Sequence, residues 1–335
     1  MINFINNLPK AELHLHIEGT FEPELMFNLA TKNNIKLPYQ SIEELKKAYN
    51  FDNLQHFLDI YYKGTSVLIE EQDFYDLTYN YLKKCASQQI RHVEIMFDPQ
   101  SHTSRGVNFE TIINGISKAC LDAERSIGVT SLLIMSFLRH LSEEEAIKTL
   151  KQSLPFKKNI KAVGLDSSEK NNPPSKFQHV FLEATKQGYI PVAHAGEEGP
   201  SEYIWEAIEL LKVKRIDHGN NALNDLDLID TIKNRNIPLT ICPLSNLALK
   251  VVDKLEEHPL KKLLDSGLEV TINSDDPAYF GGQLNKNYIE IQKALNLTKF
   301  DLYNLAKNSF QHSFLNDDKK EQYLTELEVY YNKNK

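Results

Sequence analysis

Lys10-Ala11-Glu12-Leu13-His14-Leu15-His16-Ile17-Glu18-Gly19 is the stretch on which the fold turns. Its alternation reads as a strand, and side chains two apart on a strand share a face, so the His14 and His16 imidazoles can converge on one point. Converging imidazoles make a metal-ligand geometry. Two histidines on a short amphipathic strand can equally be core or surface residues, so the rest of the chain has to decide.

Outward from this stretch the chain settles into a regular beat. Residues 23–33 read as a helix, 36–62 carry Leu, Phe and Tyr at helical spacing, and 71–88 form a longer amphipathic helix. Because residues 36–65 have no strand of their own and no linker, they read as a small helical lid insertion after the first strand. Apolar runs at 93–98, 131–137, 161–166, 190–195, 215–218, 237–242 and 269–276 then alternate with helical sequence. Residues 100–106 read as a polar, solvated loop. With the opening strand this makes eight strands, and near-continuous apolar strands separated by helices imply a parallel sheet covered on its outer face. Eight such units close a barrel, so the expected fold is α/β: a (β/α)8 TIM barrel occupying residues 1–335 as one domain. No Gly-x-Gly-x-x-Gly follows the first strand, which speaks against an open dinucleotide-binding sheet. Two C-terminal helices over about 299–331 pack outside the barrel, and the Asn/Lys-rich end is expected to fray.

Composition bounds the function. The chain has 335 residues, 41% hydrophobic and 25% charged, enough for a sizeable core. A net charge of -8 argues against nucleic acid as a partner, because phosphate-backbone binders depend on clustered Lys and Arg. Cys85, Cys120 and Cys242 are few and widely spaced, which fits a reducing compartment. Residues 1–9 lack a signal-peptide pattern and no run reaches the ~20 apolar residues of a membrane span, so a cytoplasmic protein without membrane contact is expected. Assembly into a homo-oligomer is left open.

In a barrel the chemistry sits where the strands end at their C-termini. The polar residues there are His14 and His16, then His194-Ala195-Gly196-Glu197, Asp217-His218-Gly219 and Ser274-Asp275-Asp276-Pro277. Singly, His194 could be a core histidine, Asp275 or Asp276 a helix cap, and Glu197 a first-turn charge. Their coincidence at one rim favours a site. Three imidazoles and a carboxylate suit one zinc ion, other divalent metals remaining open, and the ligand set read here is His14, His16, His194 and Asp275. Such an ion lowers the pKa of bound water to about 7. Glu197, three residues beyond a ligand, is placed to shuttle protons, and His218 to act as a second base or electrostatic stabiliser. Strand four ends in Asp166-Ser167-Ser168 without a lysine, so a two-metal site bridged by a modified lysine is not supported.

These motifs, with Cys242-Pro243-Leu244-Ser245-Asn246 between them, resemble the ordered motifs of the adenosine and adenine deaminase family of metal-dependent hydrolases, over about residues 8–314. The resemblance implies a zinc-bearing barrel that adds hydroxide to C6 of a purine and expels ammonia. It also implies zinc on His14, His16, His194 and Asp275, Glu197 protonating ring N1, His218 activating the water, and Asp276 pairing with N7. The zinc deaminase design with His-x-Glu and Cys-x-x-Cys ligands is absent, which speaks against single-stranded nucleic acid substrates.

Two departures bear on which purine is taken. Glu18 stands where adenosine-specific members carry aspartate close to the ribose, and its extra methylene would intrude on sugar space. The segment 164–169 is shorter than in adenosine deaminases, so the purine-contacting glycine has no clean counterpart, and Ser168 is the residue expected in its place. Segments 97–106 and 167–174 are similar to those of microbial and fungal adenine deaminases. The expected activity is therefore adenine aminohydrolase, acting on a small-molecule purine base. Adenosine or N6-substituted adenines are the alternative substrates, and a non-catalytic metal-binding relative is the alternative class. His102 and His140 are read as structural or surface residues, and Phe57, Tyr61 and Tyr62 as apolar packing of the lid.

Overall fold

Eight parallel strands run in sequence order around a barrel: β1 (Lys10–His16), β2 (Ile90–Phe97), β3 (Thr130–Leu138), β4 (Ile160–Asp166), β5 (Ile190–Ala195), β6 (Arg215–His218), β7 (Leu239–Ile241) and β8 (Val270–Ile272). The computed structural model describes residues 1–335. Each strand pairs with the next in parallel, as expected of near-continuous apolar runs packed on both faces. β7 and β8 are shorter than their apolar runs. Pro238 has no N–H to give a ladder, and beyond Ile272 the Asn273 side chain replaces backbone pairing.

That replacement closes the barrel. Asn273 Oδ1 accepts the Leu13 N–H at 2.9 Å. Beyond it the Asp275 carbonyl accepts the His16 N–H at 3.1 Å, and the Asp275 N–H donates to the His14 carbonyl at 3.2 Å. Buried Glu12 ties the same seam by accepting both the N–H and the hydroxyl of Ser274 and the Tyr81 hydroxyl. The seam therefore brings the end of β1 against the segment after β8.

The main apolar core lies between strands and surrounding helices, where 83 buried residues form one cluster. A second cluster of four, Met96, Ile134, Ala162 and Val192, is separate from it. The 23–88 region forms helices Pro23–Lys32, Ile42–Ala48, Leu54–Thr65 and Glu71–Ser87. At the C-terminus, Lys299–Gln311 and Asp317–Asn334 are helical. The expected fraying does not occur up to Asn334, because Tyr331 stacks on Tyr303 with centroids 4.4 Å apart and the Tyr330 hydroxyl donates to the Phe4 carbonyl. The polar loop expected at 100–106 is also different: Pro99–Thr103 is a short helix that buries His102 completely. No helix is long and apolar enough to cross a membrane.

Candidate active site

Barrel closure carries four histidines and an aspartate to one point. His14 Nε2 lies 3.3 Å and His16 Nε2 3.5 Å from Asp275 Oδ1, and His16 Nε2 lies 3.2 Å from His194 Nε2. His218 Nε2 is 3.8 Å from Asp275 Oδ2. All five side chains are buried. His218 (φ 68°) and Asp275 (φ 63°) hold left-handed backbone, a conformation that costs a non-glycine residue free energy and turns both side chains into the cluster.

The ring tautomers can be read from the partners. The Thr240 hydroxyl donates to Asp217 Oδ1 at 2.9 Å, so at 3.0 Å it must accept from His14 Nδ1–H. That leaves His14 Nε2 as a bare lone pair, and no protein group donates to it. His16 Nδ1 faces Asp166 Oδ2 at 3.4 Å, which orients its Nε2 lone pair the same way. Three nitrogen lone pairs and a carboxylate oxygen thus converge, an arrangement that repels unless a cation lies among them. Burial, reinforced by the neighbouring His14, His218 and His16, pushes His194 well below the ordinary histidine range, which favours the neutral ring. The donor set fits a divalent ion of the zinc type: His14, His194, His218 and Asp275 present their donor atoms together, and His16 Nε2 adjoins them 3.2 Å from His194 Nε2.

Above this cluster is a cleft. Leu54, Phe57, Leu58, Tyr61, Leu249 and Phe280 form its apolar wall. Asp98, Asp166, Ser167, Glu197 and Asp276 line it on the polar side. Burial first, then the negative charges of Asp275 and Glu169, raises the Glu197 carboxyl well above its ordinary range. The shift favours the protonated acid, whose Oε2 lies 3.6 Å from His218 Nε2. Asp276 Oδ1 has no donor, and it packs so tightly on Gly19 that a Cβ there would lie 1.9 Å from it.

The segment that carries Glu197 is built around Glu169. Its Oε1 accepts the Gly196 N–H at 2.7 Å, and its Oε2 accepts the N–H groups of Glu197, Glu198 and Gly199 at 3.0, 2.9 and 2.7 Å. Successive N–H groups make a cradle for an anion, and here the anion is a side chain of the fold itself. Buried Arg139 adds a second clamp, donating to the His194 carbonyl at 2.8 Å and to the Asn172 carbonyl at 2.8 Å.

Two residues expected at the substrate sit elsewhere. Glu18 is fully buried but is not part of the cleft wall. Its Oε1 accepts the Asp98 N–H at 3.1 Å and His102 Nε2–H at 2.9 Å, while Arg105 donates to His102 Nδ1 at 2.8 Å. Burial pushes the Glu18 carboxyl up to about 7 and His102 down to about 3. Ser167 rather than Ser168 reaches the cleft, in left-handed conformation (φ 73°), and its hydroxyl meets Tyr62 at 3.0 Å and His140 at 2.8 Å.

The family model for adenosine deaminase matches residues 9–330. The chain belongs to this adenosine deaminase family. Within it, the chain is 58% identical over 323 residues to an adenine deaminase of Acinetobacter baylyi, covering 96% of this chain and 97% of that protein. The crystal structure of an adenine deaminase from Arthrobacter aurescens superposes with a TM-score of 0.95 at 49% identity, covering 97% of this chain and 99% of that one. A Burkholderia ambifaria amidohydrolase with bound Zn shares the fold at 24% identity and a TM-score of 0.90, covering 99% of this chain and 94% of that one.

For this family member, sequence reasoning passed over Asp98, Glu169 and Thr240, and it read His102 as a structural or surface residue without its partner Glu18. Asp98 ends an apolar strand just as Asp166 does, so position alone could have flagged it. Glu169, His102 and Thr240 carry no such signal.

Proposed function

We propose that the chain is an adenine aminohydrolase, converting adenine and water to hypoxanthine and ammonia. The observation that carries this reading is the full-length 58% identity to an adenine deaminase. The cleft supports it, since its wall combines apolar faces with a few polar groups.

His14, His16, His194 and Asp275 would hold one zinc ion. When bound, such an ion supplies a Lewis acid and makes water acidic enough to attack at neutral pH. Glu197, protonated in its buried setting, gives its proton to N1, which weakens the aromatic bonding at C6. Asp276 fixes the base through N7. His218, held neutral by burial, takes the proton of the attacking water. That proton then leaves with the amino group as the C6–N6 bond breaks, and the remaining proton of the added hydroxyl returns to Glu197 as the C6 carbonyl forms. The Leu54–Thr65 helix covers the base as a lid, and excluding water strengthens each of these interactions.

Turnover of adenine, adenosine and N6-alkyl adenines by the zinc-loaded protein tests the reading. Adenine is expected to give the highest kcat/KM; activity on adenosine with none on adenine refutes it.

A further inference from the structure

The polar wall follows the strand order around the rim: Asp276 after β8, Asp98 after β2, Asp166 and Ser167 at the end of β4, Glu197 after β5. The perimeter of a purine, taken from N7 away from C6, runs through C8, N9, C4, N3 and C2 to N1. Resting on the proposed function, N7 lies on Asp276 and N1 on Glu197. The edge between them then meets Asp98, Asp166 and Ser167 in that order.

In the 9H form of the free base, the one ring N–H on this edge is at N9. Where N9 arrives the wall presents the Asp98 and Asp166 carboxyl groups. Asp98 is 3% exposed and its Oδ1 receives no hydrogen bond, while Oδ2 accepts the Tyr61 hydroxyl at 3.3 Å. Asp166 Oδ2 lies 3.4 Å from His16 Nδ1 but neither Asp166 oxygen receives a hydrogen bond, while the Ser167 hydroxyl meets Tyr62 and His140. Of the two carboxyl groups open to the substrate, Asp98 comes first along the edge from Asp276, as N9 is the first nitrogen after N7, and it is the group that meets N9. Glu18 acts one step behind: by accepting the Asp98 N–H it fixes the carboxylate's backbone, while Glu18 itself is held by His102.

We infer that Asp98 is the specificity-determining acceptor for the N9–H of the free base, and that this contact, positioned by Glu18, excludes purines substituted at N9. A substituent at N9 removes the donor, leaves Asp98 Oδ1 buried and unpaired, and has to displace the wall. Sites built to bond a substrate N–H discriminate steeply against analogues lacking it.

The test compares kcat/KM for adenine and 9-methyladenine in the zinc-loaded wild type, D98A and D98N, with metal content measured on each. Wild type is expected to favour adenine by at least ~10³-fold. In D98A that ratio should fall at least ~30-fold, through loss on adenine, and in D98N, which keeps an acceptor oxygen, it should stay within ~10-fold of wild type. A wild type that turns over both bases equally overturns the inference without need of a variant. So does a D98A variant with lowered activity and an unchanged ratio, which marks a structural role. Loss of an equivalent of metal from D98A also overturns it, because His16, Asp98 and Asp166 lie close enough to hold a second cation. A wild type inactive on adenine overturns the functional reading and this inference together; an active one with the wrong ratio overturns this inference alone.

Discussion

Replacing Glu169 by glutamine keeps its volume and asks what its charge does for the Glu197 segment. The carboxylate accepts four N–H groups, three on Oε2 and one on Oε1. With the amide oxygen at the three-donor corner, three charge-assisted bonds become neutral ones, at ~1 kcal/mol each. The amide NH2 then faces the Gly196 N–H at 2.7 Å, donor against donor, for another ~1–3 kcal/mol. Neutralising a buried charge offsets ~2 kcal/mol of this total, leaving a net loss of ~2–4 kcal/mol. For 335 residues the unfolding entropy is ~0.7 kcal/mol/K, so Tm should fall by roughly 3–6 °C. If the segment relaxes and moves Glu197 by ~1 Å, kcat should fall ~10²-fold while zinc content stays at the wild-type level. Circular-dichroism melting, ammonia release and elemental analysis on one preparation read all three quantities. A Glu169→Gln protein with kcat within twofold and Tm within about 1 °C of wild type would refute the reasoning.

Three further outcomes are expected. Glu197→Gln, isosteric but unable to donate an acid proton, should lower kcat by ~10³-fold with metal content intact; loss of metal would make Glu197 a ligand instead. His14→Ala should abolish stoichiometric zinc binding by equilibrium dialysis and melt at the temperature of chelator-stripped wild type, whereas retention of one tightly held ion would remove His14 from the ligand set. His258 is buried and neutral: its Nε2–H donates to Asn246 Oδ1, its Nδ1 accepts the Leu260 N–H, and burial pushes its pKa down to about 3. Since the unfolded value is near 6.5, the unfolded chain alone takes up this proton as pH falls, and stability drains between about pH 6.5 and 3. His258→Gln should therefore reduce the drop in unfolding free energy between pH 7.5 and 5 by about 2 kcal/mol in urea titrations; equal drops in both proteins would contradict it.

How much of this could be read from the chain depends on how local the cause is. The strands were legible because each is an apolar run bounded by its own helix signals, and β5 and β6 fall at the expected residues. β7 and β8 were expected too long, because an apolar run does not tell where an asparagine side chain will substitute for a partner strand, as Asn273 does. The rim residues were legible for a related reason: a histidine or aspartate that ends an apolar strand is conspicuous. Glu169, His102 and Thr240 were not, because what defines them is a partner far away in sequence. Glu169 meets Gly196 across 27 residues, His102 meets Glu18 across 84, and Thr240 meets His14 across 226. Glu18 shows the same limit from the other side: its position beside the histidines was plain, but its direction was set by His102.

The polar chain behind His14 follows from the same logic. Buried Arg215 bonds Asp217 Oδ1 at 3.2 Å and Glu94, so one positive and two negative charges lie in a line out of reach of solvent. As a source of stability this is a poor choice, since well-packed apolar groups commonly do as well or better than a buried ion network. Its value lies at the other end. Asp217 Oδ1 is also the acceptor for Thr240, and that bond obliges Thr240 to accept from His14 Nδ1 and so frees Nε2. Asp217 Oδ2 lies 3.9 Å from His194 Nδ1, favouring the proton on the side of that ring away from the cluster. Arg215 offsets part of the negative charge with which Asp217 faces both rings. An apolar replacement of the network would preserve the barrel and leave both ligand tautomers undetermined, which explains why a barrel interior would spend three charges on two histidines.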